Sequence, residues 1–305
     1  MRPPNYFLII LFYILSSCND TGSEKSNPMQ KFQEGFVEAD HVKLQYLDWG
    51  GNGPPLILIC GLGDTPFLFD DLAKDLSLKF HVIGYSRRDH GKSIGLDGKF
   101  DNATLVADLK LFLDSLRIDR ASLLGWSMGG NEISGFASLY PERVDKLIYF
   151  ESGYDYSDGG LSKMVRQLPY PPFPGNDELQ SLDAYRDWYH NYWFKDVPWK
   201  PAMEANLLAS TQASKDGRIK ILPNDSISGL ILREVLNYRR DYSSIKSPAL
   251  VIYAEPFLLP PDELPYTLSL YDSIENHIVV PWRLENRARI EQKVGHFKQN
   301  TRCFV

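Results

Sequence analysis

Apolar and polar residues follow three rhythms along this chain. From Phe32 to Gly51 they alternate on either side of Ala39-Asp40, the period-two pattern of a half-buried hairpin. Five later stretches are apolar almost without interruption: PPLILICG (54–61), FHVIGYS (80–86), RASLLGW (120–126), KLIYFES (146–152) and PALVIYA (248–254). A strand covered on both faces reads this way, because neither face meets water. Between these stretches the period lengthens to that of a helix. Leu105, Leu109, Phe112, Leu113 and Leu116 share one face, with Asn102 as the expected N-cap. Another helix is expected from about Met128 to Tyr140, stopped by Pro141. Strands alternating with helices predict an α/β fold: a mostly parallel sheet covered by helices on both faces.

The alternation fails between Gly153 and Ser247. That segment is rich in aromatic residues and proline, as in YRDWYHNYWF (185–194) and Trp199, and holds no convincing buried strand. It is read as a helical cap, residues 153–247, inserted into a core made of residues 32–152 and 248–305. The cap is expected over the carboxyl edge of the sheet, where open α/β sheets bind ligands.

Residues 1–18 have the layout of a secretory signal: one Arg, then an apolar run of about ten residues from Tyr6 to Leu15, too short to cross ~30 Å of hydrocarbon as a helix. Leu15-Ser16-Ser17-Cys18 resembles the bacterial lipobox, which implies a lipid on Cys18 and a place at the cell envelope. The alternative is an ordinary secreted protein. Residues 19–31 are polar and without period, as a flexible tether would be.

Composition narrows the classes further. With 43% hydrophobic and 24% charged residues the chain has an ordinary globular balance. A net charge of −6 without clustered Lys and Arg leaves no footprint for nucleic acid. The three cysteines, Cys18, Cys60 and Cys303, make no disulfide framework. The histidines at 41, 81, 90, 190, 277 and 296 are scattered, so no metal site is expected.

The chemistry centres on LLGWSMGGNE (123–132). Gly125-Trp126-Ser127-Met128-Gly129 fits the G-x-S-x-G elbow, in which a serine sits on a sharp turn from strand to helix. Its neighbours two positions away must be small, and the helix that follows points amides at developing negative charge. Here the motif follows an apolar strand and opens a helical pattern, as that geometry requires.

The wider text carries a resemblance. LILICGLGDTPFLFDDLA, VIGYSRRDHGKS, LLGWSMGGNEISGFASLYPERV and KLIYFESGYDYS resemble the α/β-hydrolase superfamily, in order and spacing, and most of all its esterase- and peptidase-like members with a helical cap. The resemblance implies a sheet of about eight strands, no cofactor, and triad residues in the order Ser, acid, His. It implies Ser127 as nucleophile and the backbone amides of Leu62 and Met128 as oxyanion donors. Cys60 stands where the family usually has His. SRRDHGKS (86–93) implies a structural turn, with His90 a loop residue. The late Asp of many members is missing, since Ala254-Glu255-Pro256-Phe257 occupies its place. Other members take the acid from the end of the preceding strand, where this chain has Glu151. Glu255 and Asp262 are the other candidates.

The base should be a late histidine. Gly295-His296-Phe297 has the right local text, but 281–294 reads as an amphipathic helix rather than a buried strand. In the other register the helix runs to about Lys298, Thr301–Val305 is the last strand, and the catalytic histidine falls beyond Val305. Two functions are expected. One is a serine hydrolase acting through an acyl-enzyme on a small ester-like substrate, with an amide or peptide bond as the lesser alternative. The other is a degenerate, non-catalytic envelope lipoprotein that uses the fold as a binding module.

Overall fold

The computed structural model describes residues 32–160, 174–193, 197–253, 275–293 and 297–299. The expected hairpin forms from β1 (Gln33–Ala39) and β2 (Val42–Gly50), antiparallel, with Ala39 opposite Val42. Four of the apolar stretches become β3 (Pro55–Ile59), β4 (His81–Tyr85), β6 (Ala121–Trp126) and β7 (Val144–Phe150), and β5 (Ile94–Gly95) is a short addition to β2. Residues Thr211–Ala213 and Ile219–Ile221 are β8 and β9, and the fifth stretch gives β10 (Ala249–Ile252). A last strand, β11, spans Phe297–Gln299. The main sheet runs β1-β2-β4-β3-β6-β7-β10-β11. From β4 onward every neighbouring pair in that order is parallel.

Helices cover both faces of the sheet, and side-chain alternation assigns each face. Leu56 and Leu58 of β3, Val82 of β4 and Trp126 of β6 pack with Phe69 and Ala73, beside and within α1 (Asp70–Ser77). Ile57 and Ile59, one residue out of step, pack with Leu105, Leu109 and Phe112 of α2 (Asn102–Ser115) and Ile133 and Phe136 of α3 (Gly129–Leu139). In α2 the N-cap is Asp101 rather than Asn102: its Oδ1 accepts from Thr104 N–H at 2.9 Å, so Asn102 becomes the first helical residue.

The segment between β7 and β10 contains α4 (Leu182–Trp193), α5 (Pro201–Ala209) and α6 (Asp225–Asn237), with the antiparallel β8–β9 ribbon between α5 and α6. Pro201 opens α5 at its first position, where the missing N–H costs nothing. Tyr185 and Trp188 of α4 and Met203 and Leu207 of α5 join the apolar layer of Trp126 and Phe69. This puts the aromatic segment against the strand that carries the candidate serine.

The C-terminal part departs from the expected register. After a π-helical turn at Glu275–Val279, α7 covers Val280–Lys293 and stops before Lys298. Lys298 is instead in β11, paired with Leu250. Gly295 two residues past the helix is the stop signal that the longer register overrode. Cys18, Glu255, Asp262, His296 and the Thr301–Val305 stretch lie outside the described residues.

Strand order creates the crevice. The chain leaves β3 toward β4 on one side and later returns to β6 on the other. The loops after β3 and β6 therefore diverge at the carboxyl edge, the place where α/β sheets take their ligands.

Beside this edge lies a fully buried ion pair. Arg88 gives Nε and Nη2 to the two oxygens of Asp108 at 2.7 and 2.8 Å, and Nη1 to Asp97 and the Lys99 carbonyl. It clamps the turn after β4 onto α2. Removing one partner strands a buried charge, so Asp108→Asn should lower unfolding free energy by about 3 kcal/mol, measured by urea denaturation. An unchanged midpoint would contradict this role.

Candidate active site

Ser127 is placed by strain and by close approach. It follows Trp126, the last residue of β6, and its φ of +57° is one that side chains bearing a Cβ rarely adopt. Its N–H donates to Phe150 O at 3.3 Å and its carbonyl accepts from Gly130 N–H at 2.9 Å, so the turn is bonded on both sides. The flanking glycines are sterically required. A Cβ on Gly125 would stand 2.5 Å from Gly129 O, and one on Gly129 would stand 2.7 Å from Ile59 O. Helix α3 thus sits directly on the ends of β3 and β6, with backbone touching backbone. Ser127 is 3% exposed, and among the described residues no side chain bonds its Oγ.

Glu151 is its structural twin. Trp126 pairs with Phe150, and Ser127 and Glu151 are the next residues on the two strands. Glu151 also has a positive φ, +43°, and its N–H donates to Ile252 O at 2.8 Å. Its carboxylate is buried and held. Oε1 accepts from Tyr154 OH at 2.5 Å, and Oε2 lies 3.9 Å from Arg283 Nη2 on α7. Arg283 also gives Nε to the Tyr154 hydroxyl at 3.0 Å. Trp282 stacks on Tyr154 at 4.7 Å, which docks α7 against this corner. Burial, then the Glu151 charge, pushes the Tyr154 phenol well above its ordinary range.

The two candidate amides are fixed by one arginine that the motif reading treated as part of a structural turn. Arg87, after β4, donates Nη2 to Cys60 O at 2.7 Å and Nη1 to Gly61 O at 2.8 Å. Its Nε donates to Glu132 Oε1 at 2.6 Å, and Glu132 Oε2 accepts from Tyr85 OH at 2.8 Å. Glu132 lies in the first turn of α3, four residues past Met128. Because a peptide is trans, the Gly61 carbonyl that faces Arg87 sends the Leu62 N–H the opposite way. Among the described residues neither Leu62 N–H nor Met128 N–H donates a hydrogen bond. One guanidinium therefore joins the loop that carries Leu62 to the helix that starts at Met128. A signal for it exists in the text, since Glu132 is the lone charged residue in the helix GGNEISGFASL.

The loop after β3 contributes one more polar group. Asp64 is 4% exposed, and its Oδ1 accepts from Asn206 Nδ2 of α5 at 3.0 Å. Asn206 Oδ1 in turn accepts from Thr65 N–H at 2.9 Å and Thr65 Oγ at 2.8 Å. A single cap residue thus fastens the cap to this loop. Burial pushes the Asp64 carboxyl up to about 7.

Cys60 is a buried free thiol, and burial raises its pKa. His90 is fully buried, with Nδ1 2.9 Å from Arg88 O, and burial lowers its pKa to about 3, so it is a neutral part of the turn. Among the described residues no cluster of His, Cys, Asp and Glu could hold a metal.

Residues 54–255 match the family described as the alpha/beta hydrolase fold. The chain belongs to the α/β-hydrolase family. Over 251 residues it is 28% identical to a 2-hydroxy-6-oxononadienedioate/2-hydroxy-6-oxononatrienedioate hydrolase of Burkholderia vietnamiensis, covering 77% of this chain and 81% of that one. Over 97 residues it is 33% identical to the esterase YbfF of Escherichia coli, covering 32% and 38%. The chain spans 35% of the length of several further curated relatives that it matches. The crystal structure of E-2-(acetamidomethylene)succinate hydrolase superimposes with a TM-score of 0.60 at 18% identity, over 86% of this chain and 98% of that chain, and shows the same fold. At the level of the family, this α/β-hydrolase is grouped with hydrolases and esterases.

The close approach at Gly129 can be measured. Gly129→Ala must push two backbone carbonyls aside and should cost about 3 kcal/mol. Gly98→Ala, at φ +67° with open space around it, should cost about 1 kcal/mol. Equal losses in urea unfolding would contradict the packing described.

Proposed function

We propose that this chain is a serine hydrolase that cleaves a carboxylic ester through an acyl-enzyme on Ser127. The observation that carries the reading is the elbow itself. Among the described residues nothing bonds the Ser127 hydroxyl, which sits on a strained turn, and the Leu62 and Met128 amides beside it donate to nothing; a buried carboxylate stands at the matching position of the next strand.

The chemistry follows in two halves. Ser127 Oγ attacks the ester carbonyl carbon and passes its proton to a histidine. The carbonyl oxygen becomes an oxyanion and receives the Leu62 and Met128 amides, which cost no reorganisation because Arg87 already fixes their loop and helix. The C–O bond to the alcohol then breaks, and the alcohol leaves with that proton. Water repeats the sequence on the acyl-enzyme and releases the acid. Glu151 is the carboxylate that orients the histidine and stabilises its cation. For the histidine, His296 is the candidate in the text and lies outside the described residues; Phe297, which follows it, enters the sheet opposite Ala249, the first residue of β10. The relatives named as an esterase and as a hydrolase support hydrolysis. We further propose attachment to the envelope through a lipid on Cys18, supported by the Leu15–Cys18 text.

On p-nitrophenyl butyrate, Ser127→Ala and Glu151→Gln should each lower kcat by about 10⁴-fold or more. Arg87→Met should lower kcat by about 10²-fold with KM little changed, as for a lost oxyanion contact. His296→Ala decides that residue directly, since retained turnover removes it from the mechanism. Wild-type turnover equal to that of Ser127→Ala would contradict the proposal and leave the fold as a binding module. Metabolic labelling with an alkynyl fatty acid should mark the wild type and not Cys18→Ala; labelling of both would contradict the anchor.

A further inference from the structure

The buried carboxyl of Asp64 has no part in the acyl-transfer steps, yet it stands beside them. A Cβ on Gly61 would lie 3.3 Å from Asp64 Oδ2 and 3.7 Å from Ser127 Oγ, so both oxygens border the same small space. Oδ1 is taken by Asn206, whose own oxygen is taken by Thr65. Oδ2 has no hydrogen-bond partner among the described residues. A carboxyl this deeply placed is usually paired on both oxygens. Here one oxygen is fixed by the cap and the other is left facing the nucleophile.

The surroundings leave that oxygen for a ligand. From the core, Arg87 faces Asp64 but spends its donors on Cys60 O, Gly61 O and Glu132. The Cys60 thiol is raised by burial and stays protonated. From the cap, the phenols of Tyr185 and Tyr189 face Asp64, and burial holds both above their ordinary range. Asn206 carries no charge. Near neutrality, Asp64 is the group in this set that changes its protonation.

We propose, resting on the reading of Ser127 given above, that Asp64 is a specificity-determining residue: its Oδ2–H donates a hydrogen bond to a carbonyl oxygen on the acyl chain of the substrate. The substrate class is then an oxo-acyl ester rather than a plain alkanoyl one. Donation requires the proton. With the carboxyl pushed up to about 7, the preference is present below pH 7 and is lost as the pH rises through it. Above that range the carboxylate repels the acceptor oxygen instead.

The test removes turnover and reads binding. In the Ser127→Ala protein, affinities for the p-nitroanilides of 4-oxopentanoic and pentanoic acid are measured by calorimetry at pH 5.5 and pH 8.5. The oxo compound should bind about tenfold more tightly at pH 5.5 and equally at pH 8.5, the scale of one neutral hydrogen bond. Adding Asp64→Asn keeps the shape and supplies an amide donor that does not titrate, so the preference should persist at both pH values. Adding Asp64→Leu should abolish it. Equal affinities at pH 5.5, binding of neither compound, or a preference untouched by pH or by Asp64→Leu would overturn the proposal. Release of p-nitrophenolate from esters by the wild type is a separate readout, so failure of the Ser127 reading is distinguished from failure of this one.

Discussion

The site depends on one steric constraint: helix α3 rests on the ends of β3 and β6 with no side chain between. Gly125 and Gly129 make that contact possible, and a methyl group at either would meet a carbonyl oxygen at 2.5 to 2.7 Å. The contact forces the turn at Ser127 into positive φ. It also carries the start of α3 to the loop after β3, so amides from two separate segments share one small region. Strain of this kind persists only where the surrounding structure over-determines it, and here backbone bonds to Phe150 and Gly130 do so.

Around that contact the polar groups are joined rather than scattered. Arg87 ties the Cys60–Gly61 carbonyls to Glu132 in α3. Asn206 ties the same loop to the cap. Tyr154 and Arg283 hold Glu151 from the segment after β7 and from α7. Each bond is buried, where a lost partner leaves a costly orphan. The frame therefore limits how far the loop, the helix and the two strand ends can move relative to one another.

Much of this was legible in the text. Uninterrupted apolar runs marked the parallel strands, and the G-x-S-x-G spacing marked the elbow, because both follow from local sterics. Glu151 as the acid is what the family resemblance implies, and it lies beside Ser127 through the pairing of Trp126 with Phe150. What could not be read locally were partnerships across distance. Arg87 and Glu132 are 45 positions apart, and Asp64 and Asn206 are 142. Each looked like an ordinary loop or helix residue until the fold brought them together. The end of α7 is not legible from amphipathic period alone, because parallel pairing with β10, a contact distant in sequence, takes Phe297–Gln299 into the sheet.

If Ser127 is a nucleophile, it can be trapped covalently. The purified chain would be treated with a fluorophosphonate, weighed intact, and digested with trypsin. One adduct per chain on the Ala121–Arg143 peptide, located at Ser127 and absent in Ser127→Ala, is the predicted result. No adduct on a cooperatively folding chain, or an adduct elsewhere, would contradict it.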